Sequence, residues 1–205
     1  MSTLLATPAA RGLFHRAAVQ SGSLLRHLSR EDGARVADAF IRNLGLSKSR
    51  VADIQGLPWT RLLTAQTEVG AHGFAPVLDG RTLVRDPFDP DAPSESADVP
   101  LIISTTLDDA GLFFFNFALD ESELKSVLRV RYGGQADQML ALYREEWPAK
   151  SPHLLHAQMM TDSGFRHFAN AQAERKAEQG SAPAYTYLWE WASPAFGGKF
   201  GAIGA

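Results

Sequence analysis

Two adjacent carboxylates, Asp108 and Asp109, follow directly on the apolar, β-branched run Leu101-Ile102-Ile103-Ser104-Thr105-Thr106-Leu107. The run starts at Pro100, where a stretch rich in Asp, Pro and Ser stops, and it reads as a buried strand of a mostly parallel sheet. After the carboxylates come the small pair Ala110-Gly111 and the aromatic cluster Phe113, Phe114 and Phe115. In open α/β sheets the chemistry collects just beyond the carboxyl ends of strands. A carboxylate there, walled by the three phenylalanines, is placed to orient a histidine for acid–base work. The other reading is local: either aspartate can cap a helix by accepting from its exposed first amides.

Other residues with chemistry to offer are fewer. Ser21 ends an apolar stretch and precedes Gly22, so it is either an ordinary turn serine or a polar group at the same sheet end. His15 and His27 read as structural or solvated, and His72, between Ala71 and Gly73, as a surface residue. His153 and His156 stand one helical turn apart, a spacing that can suit a metal. No carboxylate stands at a neighbouring ligand spacing, so structural histidines are the preferred reading. His167 lies in the same helical sequence. The absence of cysteine excludes disulfides, thiolate nucleophiles and cysteine-bound zinc among these residues. No metal and no organic cofactor is implied.

The elements that must position these groups follow the order of an α/β domain. The 205 residues suit one domain, and 45% hydrophobic content allows a sizeable core. A net charge of −3 makes neither nucleic acid nor an anionic membrane an expected partner. No apolar run approaches the length of a bilayer span. A short helix at residues 1–6 stops near Pro8, and residues 15–20 form a strand. Ser29 with Asp32 resembles a capping box opening a helix with Val36, Phe40, Ile41 and Leu44 on one face and Gly45 as its stop. Residues 47–56 and 58–69 read as short helices, with Trp59 expected to be a buried helix aromatic. Residues 70–97 are irregular, Asp79-Gly80 marks a turn, and 86–96 read as an exposed connection. Helices follow over 121–132 and 136–147, separated by Gly133-Gly134. Another runs over 152–178 with Pro152 in its first turn, Met159, Met160, Phe165 and Phe168 as its apolar face, and Gly180 at its end. The alternating aromatic run at 184–191 is a strand.

Several blocks carry a family resemblance. The order strand, acidic pair, small residues, Phe at 101–113 resembles the acid-bearing segment of the type B carboxylesterases, the α/β-hydrolases that include the cholinesterases. The block Leu4-Leu5-x-x-Pro8-x-Ala10-x-Gly12-Leu13-Phe14-x-x-Ala17-x-x-Gln20-Ser21-Gly22 resembles the segment that follows the nucleophile elbow in that family. Pro76-Val77-Leu78-Asp79-Gly80 and Tyr185-x-Tyr187, with Ser193-Pro194 and the Gly197-Gly198-Lys199-Phe200-Gly201-Ala202 loop after it, match further family segments. The likeness spans residues 4–202. It implies a partial α/β-hydrolase fold, an α/β arrangement with a mostly parallel sheet and flanking helices, incomplete at both ends. Residues 1–205 would then be the central to C-terminal-middle part of a single domain.

By this resemblance Asp109 falls on the position of the catalytic triad acid, with Asp in place of the commoner Glu and Ala110 in place of the usual Gly. Ser21 takes a supporting place beside the triad rather than the nucleophile's. The nucleophile of this fold sits in Gly-x-Ser-x-Gly, a pattern the 205 residues do not contain; Ser47, in Gly45-Leu46-Ser47-Lys48-Ser49, lacks the second glycine. The resemblance places the elbow upstream of Met1 and the catalytic histidine just past Ala205. The implied activity is hydrolysis of carboxylic esters, with a small-molecule ester as substrate, and these residues by themselves are expected to be inactive. The alternative is a non-catalytic, cholinesterase-like binding or adhesion domain that keeps the fold without the full triad. In either case the sheet edges left uncovered favour aggregation.

Overall fold

The computed structural model describes residues 1–70 and 74–203; the expectation for His72 falls outside them. Three parallel strands form the sheet: β1 (Ala17–Gln20), β2 (Leu101–Thr106) and β3 (Ala184–Trp189), in the order β1-β2-β3. The register pairs Val19 with Ile103 and Ile103 with Thr186, and Gln20 with Ser104 and Ser104 with Tyr187. Because side chains alternate, one face carries Ala17, Val19, Leu101 and Ile103 and the other carries Gln20, Ile102, Ser104 and Tyr187. The first face is buried, with Leu5, Phe88, Ala92, Val99 and Ala169 packed into the same core. The second is largely open, and Ile102 and Tyr185 on it are 45% and 61% exposed.

The helices are α1 (Ser2–Leu5), α2 (Arg30–Asn43), α3 (Trp59–Val69), α4 (Glu121–Tyr132), α5 (Ala136–Glu146), α6 (Pro152–Thr161) and α7 (His167–Gln179). Local chemistry fixes several of their ends. Ser29 Oγ accepts from the Asp32 amide to open α2, and Gly180, left-handed at φ 71°, closes α7. At α4, Asp120 and Glu123 form a complete capping box. A second core of Leu119, Leu124, Leu128, Leu140, Leu155 and Met159 joins α4, α5 and α6 beside the acid-bearing strand end.

Three expectations need correction. The helix over 152–178 is interrupted by a π turn, Asp162–Arg166, where Arg166 turns to the sheet and donates to the Thr106 carbonyl at 3.2 Å. Residues 86–96 are not a simple exposed connection: Phe88 is fully buried, Ala92 and Ser96 are buried, and the buried Lys176 ammonium donates to the carbonyls of Ser96 and Ala97. Polar composition misled there because Asp86 and Asp89 are used inward, accepting from the His27 amide and from Arg26 and Arg175, around one deep aromatic anchor. Trp59 is 72% exposed, not buried; it sits at the first turn of α3, which buries only Ala65. The 47–56 segment is a short helix as expected, a kinked 3₁₀ stretch over Lys48–Gly56.

Candidate active site

The two aspartates after β2 both go inward, and neither caps the short 3₁₀ turn Asp109–Phe113 that follows. The capping alternative is therefore set aside in favour of longer-range bonds. Asp109, 4% exposed, accepts two hydrogen bonds on one oxygen. Ser21 Oγ donates to Oδ2 at 2.7 Å, and the Thr106 amide donates to the same atom at 2.9 Å. Among the described residues Oδ1 accepts none.

Strand register explains why Ser21 arrives there. Its amide donates to the Ser104 carbonyl at 2.8 Å, which carries the β1–β2 pairing one residue past the strand. The chain then turns with Ser21 at φ 51°, left-handed for a non-glycine residue. Such a conformation costs about 1–2 kcal/mol and persists only where surrounding contacts enforce it. Here it accompanies a hydroxyl–carboxylate bond between segments 88 positions apart in sequence.

A cleft of about 760 Å³ opens at this end of the sheet. Its walls include Ser21, Thr106, Asp109, Leu112, Phe113 and Phe165, with Tyr187 and Trp189 from β3. Of the three phenylalanines expected as walls only Phe113 lines it, stacked on Phe165 at 6.3 Å. Phe114 packs on His156 and Phe115 on Phe200 instead. Sequence reasoning passed over the polar row beneath the cleft, where Gln20 Nε2 donates to the Tyr187 hydroxyl at 3.3 Å. Hydrogen bonds from Ser104 and then Gln20 hold the Tyr187 pKa below the ordinary tyrosine value. Only the three-strand register reveals that row; the alternation of Tyr185 and Tyr187 was its one sequence signal.

The histidines stand elsewhere. His15 is exposed. The His27 ring meets Thr3 Oγ1 at 3.3 Å, and burial lowers its pKa. His153 and His156 are buried against Phe117 and Phe114, and burial lowers both pKa values. Among the described residues none hydrogen-bonds to Asp109, and no three His, Cys, Asp or Glu side chains gather as a metal site. No described helix is long and apolar enough to cross a membrane.

Comparison with known proteins gives this geometry a context. Residues 1–195 match the model of the carboxylesterase family. The para-nitrobenzyl esterase of Bacillus subtilis (strain 168) is 28% identical over 201 residues, covering 93% of this chain and 40% of that protein. The phenmedipham hydrolase of Pseudarthrobacter oxydans is 30% identical over 222 residues, covering 99% of this chain and 42% of that protein. Among solved structures, a Geobacillus stearothermophilus carboxylesterase superposes with a TM-score of 0.74 at 27% identity, over all of this chain and 43% of that one. A PNB esterase superposes with a TM-score of 0.67 at 29% identity, over 94% of this chain and 42% of that one. Those neighbours are esterases, and the parallel sheet with flanking helices seen here is part of their α/β-hydrolase fold. The chain spans about 40% of the length of the curated relatives it matches.

Proposed function

The chain belongs to the carboxylesterase family, and from that premise we propose that it carries the acid of a serine-esterase triad, Asp109, acting on small-molecule carboxylic esters. The observation that carries this reading is the asymmetry of the buried carboxylate. Oδ2 is held by Ser21 and the Thr106 amide. Oδ1 is left without a partner among the described residues, in a side chain that lines the cleft. An acid so held can receive the Nδ1–H of a histidine, fix its tautomer and stabilise the imidazolium that forms when the base takes the serine proton. Asp109 would therefore not change its own protonation.

Ser21 supports that role rather than the nucleophile's. Its hydroxyl proton is committed to a carboxylate that has no imidazole beside it among the described residues, whereas a nucleophilic serine needs a base within hydrogen-bond reach. The 205 residues hold no Gly-x-Ser-x-Gly, so the nucleophile would come from other polypeptide, and no described histidine hydrogen-bonds to Asp109 to serve as the base. The aromatic side of the cleft wall, Phe113, Phe165, Tyr187 and Trp189, favours an organic ester with apolar groups to place against it.

The test has two parts. The purified chain is expected to hydrolyse p-nitrophenyl acetate only at the background rate, and turnover blocked by a serine-directed organophosphate would refute the absence of a nucleophile. Extending the reading frame on both sides and assaying the longer product then tests the acid. If it is an esterase, Asp109→Asn should lower kcat by about 10³–10⁴-fold, as loss of the orienting acid does in a serine triad. An unchanged kcat would remove Asp109 from the mechanism.

A further inference from the structure

Asp108 is 2% exposed, as deeply buried as its neighbour, yet its bonds lead away from the cleft. Its backbone amide donates to the Ala202 carbonyl at 2.8 Å. Its carboxylate accepts the Ala202 amide on Oδ2 at 2.9 Å and the Lys150 ammonium on Oδ1 at 2.5 Å. Lys150 also donates to Gln158 at 2.7 Å and lies over the Trp147 ring at 5.2 Å. One residue thus reaches the loop after β3 by two reciprocal bonds and reaches the α5–α6 connection by a buried ion pair.

That loop, residues 193–203, is otherwise held by turns and by aromatic packing. It contains no strand, and Phe196, Gly197, Gly198 and Gly201 all take left-handed backbone angles. Its internal bonds run from Ser193 N–H to Gly201 O and from Gly201 N–H to Gly198 O. Phe196 and Phe200 rest on the ring of Phe117. At Gly201 the approach is so close that a Cβ would run into the Asp108 carboxylate and come within 2.8 Å of Leu154. The glycine is required both by its φ of 66° and by the space the carboxylate occupies. A buried ion pair is seldom better for stability than a well-packed apolar pair of the same size, so stability alone does not account for this charge pair. What it supplies here is an anchored acceptor with fixed direction.

We propose that Asp108 is a positioning residue: with Lys150 as its counter-ion, it pins the loop after β3, through Ala202, to the end of β2 from which Asp109 also projects. The inference rests on the reading of Asp109 as the triad acid, because only then does the placement of this loop bear on chemistry. A base has to reach Oδ1, and this loop leaves the neighbouring strand at the same sheet end.

The test is amide hydrogen exchange, resolved by NMR on the 205-residue chain. In the unmodified chain the Ala202 amide should exchange as slowly as the paired amides of β2. Asp108→Val should speed Ala202 exchange by about tenfold or more while strand amides keep their protection. Asp108→Asn, which keeps an acceptor of the same shape, should restore most of it; a packing role would not separate these two variants. Rapid Ala202 exchange in the unmodified chain overturns the proposal and needs no variant to fold. Equal loss at Ala202 and across the strands in both variants, or no loss in either, overturns it as well. Exchange is read without turnover, so this result stands apart from whether Asp109 is the acid, which the kcat of D109N decides.

Discussion

Replacing Ser21 with alanine removes one of the two donors to the Asp109 carboxylate and nothing else of size. The hydroxyl bond is 2.7 Å long to an atom of a side chain that is almost fully buried. A hydrogen bond to a charged group contributes about 1.5–3 kcal/mol, and that is the loss expected for S21A at neutral pH. Alanine inherits the φ of 51°, so the backbone cost remains. Glycine at the same position also loses the bond but is released from a penalty of about 1–2 kcal/mol, and S21G should be the milder variant by about 1 kcal/mol. Urea unfolding followed by tryptophan fluorescence measures both, with Trp189 in the cleft wall as a local reporter. A cycle with Asp109→Ala isolates the pair. If the Ser21–Asp109 bond is what holds the carboxylate, the coupling should fall in the same range of about 1.5–3 kcal/mol. A coupling below about 0.5 kcal/mol, or S21G less stable than S21A, would refute the reasoning that the strained serine is kept for this bond.

The buried histidines make stability depend on pH in a known direction. Burial lowers the pKa values of His27, His153 and His156 below 6.5, so below that pH the unfolded chain binds more protons than the folded one, and stability falls as pH falls through and beneath it. His156→Phe, against the Phe114 ring, should flatten part of that slope in urea midpoints taken from pH 7 down to pH 5; an unchanged slope would mean His156 charges without cost. Gly201→Ala should destabilise the loop after β3 by about 1–2 kcal/mol from backbone strain alone, more once the Asp108 contact is added, and thermal melts that match the parent would contradict it. Tyr185, 61% exposed on the outer strand, belongs to an uncovered sheet edge. Tyr185→Lys should reduce concentration-dependent association in light scattering without moving the melting temperature.

What the sequence disclosed and what it withheld divide along the distance between interacting residues. The strand at 101–106, the cap at Ser29 and the stops at Gly45 and Gly180 could be read because their determinants lie within a turn or a few residues of the effect. The depth of Phe88, the use of Lys176 and the exposure of Trp59 could not, since each depends on which surface folds back over it. The acidic pair sits on that boundary. Local rules supplied a cap for the two aspartates, and neither accepts from the turn that follows. Asp109 is satisfied by a serine 88 positions away and Asp108 by a lysine 42 positions away. The two neighbours consequently diverge in their bonding although their local environments in sequence are the same. Successive residues point in opposite directions as the chain leaves β2, so one carboxylate lines the cleft while the other reaches the next loop. These adjacent acids at a strand end are therefore two separate anchors, one bonded within the cleft wall and one bonded to the loop after β3.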